Sequence, residues 1–369
     1  MAIDPDVQVE LDATNAIVAT NATDIADLNY RVSTIEDGPP ADVVSSCDCY
    51  DYKFTTTGSG GSYRFSAEDV NAAIDWLYQN RRGGRIVIDG ENQDLLQDEP
   101  IIVRPGVEIT GVGVPNVAEN VRTVLVPTFS HAAQFVQTPL TPAGDFRSWG
   151  ASSINNLTVK NARGLPGVRA LDLEGGNHSR VFDFCAQGIN YEYGVVMQNL
   201  RGKADGQYSV YERIQIYGAK FPLHFEHHVP DASFDSCMFY GPGVGHGTTT
   251  PMAGSVGVHV IGDSIRFTEC EVQGVDVTWS INGVHMVIIS GASEPYSGWI
   301  DGSAGPIFKL GPKCRDLYVA GHSLANLDKT PVVLEVDPAV SFVAFRDLPG
   351  LRPNQIPELY HKWFTFIQP

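Results

Sequence analysis

A short apolar motif recurs along this chain and constrains its fold more than any other sequence feature. It consists of an apolar residue, two residues of any kind, an apolar residue, one residue, an apolar residue, one residue and usually a glycine. The copies are INNLTVKN (154–161), VFDFCAQG (181–188), YERIQIYG (211–218), FDSCMFYG (234–241), FTECEVQG (267–274), VHMVIISG (284–291), CRDLYVAG (314–321) and VSFVAFRD (340–347), with VEITG (107–111) as a shortened earlier copy. Most copies begin 23 to 33 residues apart, but residue 284 follows residue 267 by only 17. This short step suggests that the 284–291 copy is a second strand of one coil.

The spacing within the motif describes a strand that bends. Positions four and six are two residues apart, so their side chains leave the same face of a strand. The spacing from position one to position four breaks this alternation and indicates a bend, and the closing glycine permits a sharp turn, often at positive φ. Stacked copies form two apolar ladders that a single copy could not bury. The first ladder is Leu157, Phe184, Ile214, Cys237, Cys270, Val287, Leu317 and Val343, and the second is Val159, Ala186, Ile216, Phe239, Val272, Ile289, Val319 and Phe345.

Further strand-like runs lie between the copies, so each coil contains at least two strands. These runs are RALDLEGG, YGVVMQNL, FPLHFEHH, VGVHVIGD, GPIFKLG and TPVVLEV. Leucine-rich repeats would have a shorter fixed period with repeated Leu and Asn, and propeller blades would run for about 40–50 residues. Coils of variable length with a constant strand motif instead predict an all-β fold, the parallel β-helix, over residues 66–350.

The N-terminal region has a different pattern, typical of a coiled coil. Apolar positions alternate at spacings of three and four, which is the seam through which parallel helices pack. The seam residues are Leu11, Thr14, Val18, Asn21, Ile25, Leu28, Val32 and Ile35. An alternative is one amphipathic helix folded onto its own domain. The pattern predicts a stem over residues 1–36, a linker over 37–65 and, beyond the β-helix, a C-terminal cap over 351–369.

Composition narrows the class of partner. The chain has 369 residues and a formal net charge of -18, and so acidic a protein repels phosphate backbones, which argues against nucleic acid. No apolar run approaches the roughly 20 residues that span a bilayer, and the N-terminus does not resemble a signal peptide, so we expect neither membrane insertion nor secretion. Cys47 and Cys49 form a lone C-x-C, interpreted as two free thiols, with a metal or an interchain disulfide as the alternative.

The segment 66–113, SAEDVNAAIDWLYQNRRGGRIVIDGENQDLLQDEPIIVRPGVEITGVG, resembles the opening of the pectate-lyase-like superfamily. Ser66 and Asp69 favour a helix start, followed by apolar residues at helical spacing (Val70, Ala73, Ile74 and Leu77). In that superfamily the helix caps the first coil of a right-handed parallel β-helix. Such a β-helix behind a coiled-coil segment is similar to phage tail spikes and tail fibres.

The resemblance implies a function and an assembly. In tail spikes three parallel β-helices pack side by side, bind cell-surface polysaccharide and in many members cleave it. We therefore expect a homotrimer that attaches the virion to a host polysaccharide, joins other tail or baseplate proteins through its stem, and is assembled in the host cytoplasm. The resemblance implies no cofactor. The alternatives are a depolymerase, either a glycosidase or a lyase, and a purely structural virion spike or connector.

If the chain cleaves glycan, paired carboxylates are the candidates. Equivalent positions on adjacent coils lie about 4.8 Å apart, and hydrolysis uses carboxylate separations of about 5–5.5 Å or about 6.5–9.5 Å. Glu212 and Asp235 share one motif position, and Asp183 and Glu269 share the next. These four residues are the candidate catalytic groups, against the alternative that they are ordinary outward carboxylates of an acidic protein.

Binding is predicted at insertions that interrupt the motif. They span 201–210, 241–256 and 290–305, and long loops on a rigid scaffold often carry function. Tyr296 and Trp299 in the third insertion offer rings that stack on sugars, and His246 lies in the second. We expect no metal site, because the histidines of FPLHFEHHVP (221–230) are typical of a polar surface at a strand end.

Overall fold

The computed structural model describes residues 52–55, 64–90, 94–113, 123–138, 151–174, 178–198, 208–242, 253–294, 305–325, 333–349 and 351–364. The predicted stem, Cys47, Cys49 and much of the predicted linker lie outside these residues. The described strands pair in parallel, each with the strand one coil further along the chain, which confirms the predicted parallel β-helix. Among the described residues, no helix has the length and apolar character needed to cross a membrane.

Among the described residues there is one α-helix, α1 (Ala67–Trp76), and it precedes most of the coils. Ser66 caps it as predicted, because its side-chain oxygen accepts a hydrogen bond from the backbone N–H of Asp69 at 3.1 Å. Its apolar face is buried against the first coils, and Asn71 accepts a hydrogen bond from the backbone N–H of Ile102 at 2.8 Å. A wider turn, Leu77–Arg81, ends the helix before Arg82 adopts a left-handed conformation.

The rest of the described chain consists of strands and two short C-terminal 3-10 helices. The strands up to residue 198 are β1 Tyr52–Thr55, β2 Arg64–Phe65, β3 Gly84–Asp89, β4 Asp94–Gln97, β5 Ile101–Val103, β6 Val107–Gly111, β7 Thr123–Pro127, β8 Ala133–Gln137, β9 Ser153–Asn161, β10 Arg169–Glu174 and β11 Arg180–Gln198. The later strands are β12 Ser209–Glu212, β13 Gln215–Phe225, β14 Val229–Pro230, β15 Ala232–Asp235, β16 Met238–Tyr240, β17 Val256–Gln273, β18 Val277–Glu294, β19 Phe308–Leu310, β20 Arg315–Leu324, β21 Leu334–Val336 and β22 Ser341–Arg346. The 3-10 helices are Pro353–Gln355 and Glu358–Trp363.

Strand pairing arranges these strands in three walls around one apolar interior. Wall A contains residues 101–103, 133–137, 169–174, 191–198, 219–225, 256–260, 277–281, 308–310 and 334–336. Wall B contains 52–55, 84–89, 107–111, 153–155, 180–182, 209–212, 232–235, 265–268, 287–290, 317–320 and 343–346. Wall C contains 64–65, 94–97, 123–127, 157–161, 184–188, 215–217, 238–240, 270–273, 291–294 and 322–324. Pairing therefore begins at β1, inside the segment predicted as linker.

Two left-handed residues, five positions apart, bracket wall B in each of seven coils. The first residues of the pairs are His178, Tyr208, Asp231, Ser264, Met286, Asp316 and Phe342, and the second are Asp183, Arg213, Ser236, Glu269, Gly291, Gly321 and Asp347. These are the bends that the motif predicted. Glycine is required at position 291, because a Cβ there would lie 2.0 Å from the backbone oxygen of Cys270.

The presence of two bends corrects the predicted ladders. In the full motif copies up to 267–274, the third residue lies at the second bend of its coil. In the last three copies, 284–291, 314–321 and 340–347, it lies at the first bend. The register pairs Phe267 with Ile289, one coil later, so the 284–291 copy belongs to the next coil and is not a second strand of the same one. Leu157, Ile214, Val287 and Leu317 are all buried as predicted, but the single column is wrong. Two lie in wall C and two in wall B, because the same apolar spacing arises at both bends.

Stacked aromatic side chains fill the interior and close its C-terminal end. The Phe234 ring stacks between Tyr211 and Phe267, with centroid distances of 4.8 and 5.0 Å. Phe364, within the predicted C-terminal cap, stacks on Phe345 at 4.4 Å. The cysteines Cys237 and Cys270 are buried, as expected for small core side chains.

Candidate functional site

The four predicted catalytic carboxylates lie where wall B meets wall C. Glu212 and Asp235 occupy paired positions in adjacent coils, and Asp183 lies at the bend one coil earlier. Arg213 joins this group, because its guanidinium donates to both Asp183 oxygens at 2.6 and 2.9 Å and to Glu212 at 3.3 Å. Glu269 lies two coils beyond Arg213 in the column of second bends, and its backbone N–H donates to Ser290 at 3.3 Å.

This arrangement favours an ion pair over an acid–base pair. Hydrogen bonding to Asp183 raises the pKa of Arg213 above its ordinary value, so the guanidinium stays charged. A fixed cation favours the ionised form of a neighbouring carboxylate, whereas a general acid in glycoside hydrolysis must be protonated. Asp235 instead accepts a hydrogen bond from the Ser236 hydroxyl at 3.1 Å. The structure thus groups Asp183, Glu212 and Asp235 at one corner of the coil, where Arg213 pairs with the first two.

A second polar cluster, on the outer face of wall C, contains two tyrosines. Tyr217 on β13 pairs with Tyr240 on β16, and the next coil places Gln273 beside Tyr240. The Tyr240 hydroxyl donates to Glu271 at 2.8 Å, and the Gln273 amide donates to the other oxygen of the same carboxylate. These four residues are called the wall C cluster.

The two tyrosine rings leave aromatic surface available. Their centroids are 5.1 Å apart and their planes are nearly perpendicular, at 79°. An edge-to-face pair leaves one face of each ring uncovered by the other, and such faces accept the C–H groups of sugars. Both rings are partly exposed.

Both phenol groups remain protonated at physiological pH. Desolvation by burial, with the negative charge of Glu271 nearby, raises the pKa of Tyr217 to about 12. Desolvation and the hydrogen bond to Glu271 raise the pKa of Tyr240 well above its ordinary value. The cluster therefore combines neutral hydroxyl groups, an amide and a carboxylate, which is the donor and acceptor inventory that recognises sugar hydroxyls.

One predicted binding insertion begins at a strand that carries the wall C cluster, and another begins at the strand of the next coil. The 241–256 insertion follows Tyr240 directly, and β18 ends at Glu294, which lies beside Gln273. His246, Tyr296 and Trp299 themselves lie outside the described residues. By sequence, Tyr296 and Trp299 follow Glu294 by two and five residues.

A third group, on the outer face of wall A, consists of stacked rings. Tyr193 stacks on Phe221 at 4.9 Å, and His224 stacks on His259 at 5.0 Å. The two stacks adjoin, since the Tyr193 and His224 rings lie 5.2 Å apart. Desolvation, reinforced by His259, lowers the pKa of His224 to about 4, so this histidine is neutral at pH 7. We call these four residues the wall A ladder.

The histidines of the 221–230 segment do not converge on a common point. His224 belongs to the wall A ladder, whereas the His228 side chain pairs with Asp263 at 3.0 Å. Across the part of the chain that the structure describes, no three His, Cys, Asp or Glu side chains are grouped in a way that could hold a metal ion.

Sequence reasoning missed the wall C cluster, although a signal was present. The motif copies YERIQIYG and FDSCMFYG both have tyrosine at position seven, and FTECEVQG has glutamine there. Equal motif positions in consecutive copies lie side by side when the copies stack, so this recurrence indicated a polar and aromatic patch on the outer face.

Comparison with known proteins returns structural similarity alone. No protein-family model matches the sequence, and no curated protein does. Solved structures that resemble the chain include a Geobacillus virus E2 protein, with 10% identity and a TM-score of 0.44 over 78% of this chain and 62% of that one. A tailspike protein of Acinetobacter baumannii bacteriophage Fri1, described as a capsular polysaccharide depolymerase, has 10% identity and a TM-score of 0.37 over 76% and 60%. Tailspike protein 2 of bacteriophage CBA120 has 9% identity and a TM-score of 0.44 over 73% and 43%.

This chain therefore spans less than two thirds of the length of each of these structures. Phage tailspike proteins are the class to which the sequence, with a β-helix predicted behind a coiled-coil segment, was found to be similar. What this chain binds must be argued from its own residues.

Proposed function

We propose that this chain is a virion tail spike that attaches to a host-surface polysaccharide through the wall C cluster and the insertions beside it. The observation that carries the proposal is the perpendicular Tyr217–Tyr240 pair, which combines an open aromatic face with hydroxyl groups hydrogen-bonded to Gln215 and Glu271. A polysaccharide presents C–H faces and hydroxyl groups in alternation, so this combination matches its chemistry.

The predicted assembly belongs to the same proposal. The heptad from Leu11 to Ile35 favours a parallel coiled coil, and three copies would present three identical binding walls to a repetitive glycan. Tyr296, Trp299 and His246 of the insertions are part of the same proposed binding site. The stem joins other proteins of the virion tail or baseplate.

The test compares two matched double variants of the full chain on an array of bacterial surface polysaccharides. Tyr217→Ala/Tyr240→Ala removes the aromatic pair of the wall C cluster. Ile288→Ala/Tyr318→Ala removes two paired, outward side chains of wall B in adjacent coils. We expect the wall C variant to lose at least tenfold in affinity, whereas the wall B variant binds like the unaltered chain.

Equal binding by both variants would contradict the proposal. The same assay separates attachment from cleavage, because hydrolysis releases new reducing ends and a lyase releases unsaturated sugars. If Glu212→Gln/Asp235→Asn abolishes such release while Tyr217→Ala/Tyr240→Ala binds normally, the chain is a depolymerase. Its site is then the edge where wall B meets wall C, called the B–C corner.

A further inference from the structure

The outer face of wall A carries aromatic rings over three consecutive coils, and the Lys220 ammonium lies 5.1 Å from the centroid of the Phe221 ring. Tyr193, Phe221, His224 and His259 are all partly exposed, and each contacts another member of the ladder. The corresponding face of wall B carries Arg85, Glu108 and Arg266 in one column and Glu212 and Asp235 in the next.

The rings of the wall A ladder are arranged for packing. Tyr193 and Phe221 are nearly parallel, at 24°, and so are His224 and His259, at 21°. Each ring therefore covers one face of its neighbour along the stack. Rings stacked in this way offer less open face to a sugar ring than a perpendicular pair does.

Charged pairs bound the ladder along the direction of the stack. On one side, Arg169 pairs with Asp172 at 2.8 Å. On the other side, the register continues from His259 through Ser280 to Lys309, which pairs with Glu335 at 2.8 Å. An apolar centre with a polar, charged rim is the anatomy of a protein–protein interface.

The charge of the chain limits which face can meet another copy. With 43 acidic and 25 basic residues, identical chains repel one another wherever carboxylates face carboxylates. We infer that wall A, centred on Tyr193, Phe221, His224 and His259, is the face through which copies of this chain pack side by side. This inference rests on the homotrimer of the proposed function and adds the surface that holds it together.

The experiment measures the native mass of the full chain while titrating its concentration. The unaltered chain should give three times 40.0 kDa, about 120 kDa. Phe221→Glu/His259→Glu places like charges on adjacent coils of the ladder, and we expect its assembly to be weakened at least 100-fold, leaving mostly monomer. The matched control, Ile288→Glu/Tyr318→Glu on adjacent coils of wall B, should remain trimeric, and so should the conservative variant Phe221→Leu/His259→Gln.

The inference is overturned if the wall A variant assembles like the unaltered chain, or if the wall B control dissociates to the same extent. It is also overturned if the wall A variant stays trimeric and loses polysaccharide binding, since the ladder would then be a glycan site. A mass of 40 kDa for the unaltered chain would refute the trimer itself. If the wall A variant stays trimeric and binds polysaccharide normally, only the role of wall A is refuted.

Hydrogen exchange gives an independent measurement if the glutamate variant does not fold. In the unaltered chain, residues 219–225 and 256–260 should become protected as concentration rises through the assembly transition. Protection that appears instead at 317–320 of wall B contradicts the inference.

Discussion

Walls A and C share several strands, among them β13 and β17, yet they present their aromatic rings in opposite ways. Wall A stacks its rings face to face along the ladder, at 24° and 21°, whereas wall C sets its tyrosines at 79°. In a parallel pair each ring covers one face of the other, whereas a perpendicular pair leaves more of the ring faces uncovered. Identical backbone geometry thus supports two different surfaces, and side-chain orientation decides which surface suits a flat protein neighbour and which suits a sugar.

The hydrogen bonding of the two walls follows the same division. The wall C tyrosines donate to Gln215 and Glu271, so their polar atoms are held in defined directions. In the wall A ladder, His259 interacts with the Ser280 hydroxyl at 3.1 Å, and desolvation lowers the pKa of His259. A wall with oriented polar groups gives specificity, whereas a wall of neutral, desolvated rings gives contact area.

The largest expected effect is a loss of stability when a side chain is removed from the apolar interior that both walls share. Phe234 is fully buried and contacts Phe225 of wall A at 6.0 Å and Phe239 of wall C at 6.2 Å. Phe234→Ala should lower the free energy of unfolding by about 3–5 kcal/mol, measured by chemical denaturation. Phe342→Ala is the control, because Phe342 is 77% exposed and its loss should change stability by less than about 0.5 kcal/mol.

If Phe234→Ala weakens assembly and leaves polysaccharide binding intact, the two walls are less coupled through the interior than this packing indicates. Loss of both functions together would confirm that the core positions both surfaces.

Acid should destabilise the fold through a buried histidine that links walls A and C. The Ser293 hydroxyl accepts a hydrogen bond from the Trp279 indole at 2.8 Å and lies 2.7 Å from His322 Nε2. Desolvation lowers the pKa of His322 to about 4, against about 6.5 in the unfolded chain. The unfolded chain therefore binds the proton first, so this stability is present above pH 6.5 and is lost as pH falls towards 4.

Between pH 7 and pH 5 this single group should lower the free energy of unfolding by about 2 kcal/mol. His322→Gln should reduce the measured pH dependence by that amount. An unchanged pH dependence in His322→Gln would mean that the acid response arises elsewhere, for example in the wall A ladder.

A smaller effect separates the hydroxyl groups of wall C from its rings. Tyr240→Phe keeps the perpendicular aromatic pair and removes the donor to Glu271. Because this hydroxyl orients the Glu271 carboxylate, polysaccharide affinity should fall, but by less than in Tyr217→Ala/Tyr240→Ala, as measured on the array. Phe221→Leu in wall A is the contrast, and an equal loss of affinity there would remove the distinction between the walls.

The sequence anticipated what depends on local pattern and missed what depends on register between coils. Ser66 and the apolar spacing of Val70, Ala73 and Ile74 predicted the capped helix, because both signals lie within one short segment of chain. Joining Cys270 to Val287 was wrong, since two bends five residues apart produce the same apolar spacing. The wall C cluster lies on three motif copies that stack in phase as predicted, but its hydrogen bonds depend on side-chain orientation, which the apolar pattern does not encode.

The smallest expected change in stability concerns the ion pair between Arg213 and Asp183 at the B–C corner. The same variant tests whether this corner is only a charged surface or a catalytic site. Arg213 is about half exposed and binds Asp183 through two hydrogen bonds, so Asp183→Asn should lower the free energy of unfolding by only about 0.2–1 kcal/mol. Denaturation curves measure this, with Asp316→Asn, at an exposed bend residue, as the matched control. A surface pair should leave polysaccharide binding unchanged. If Asp183→Asn instead stops the release of reducing ends while stability and binding persist, the corner is a catalytic site, and wall C serves to position substrate beside it.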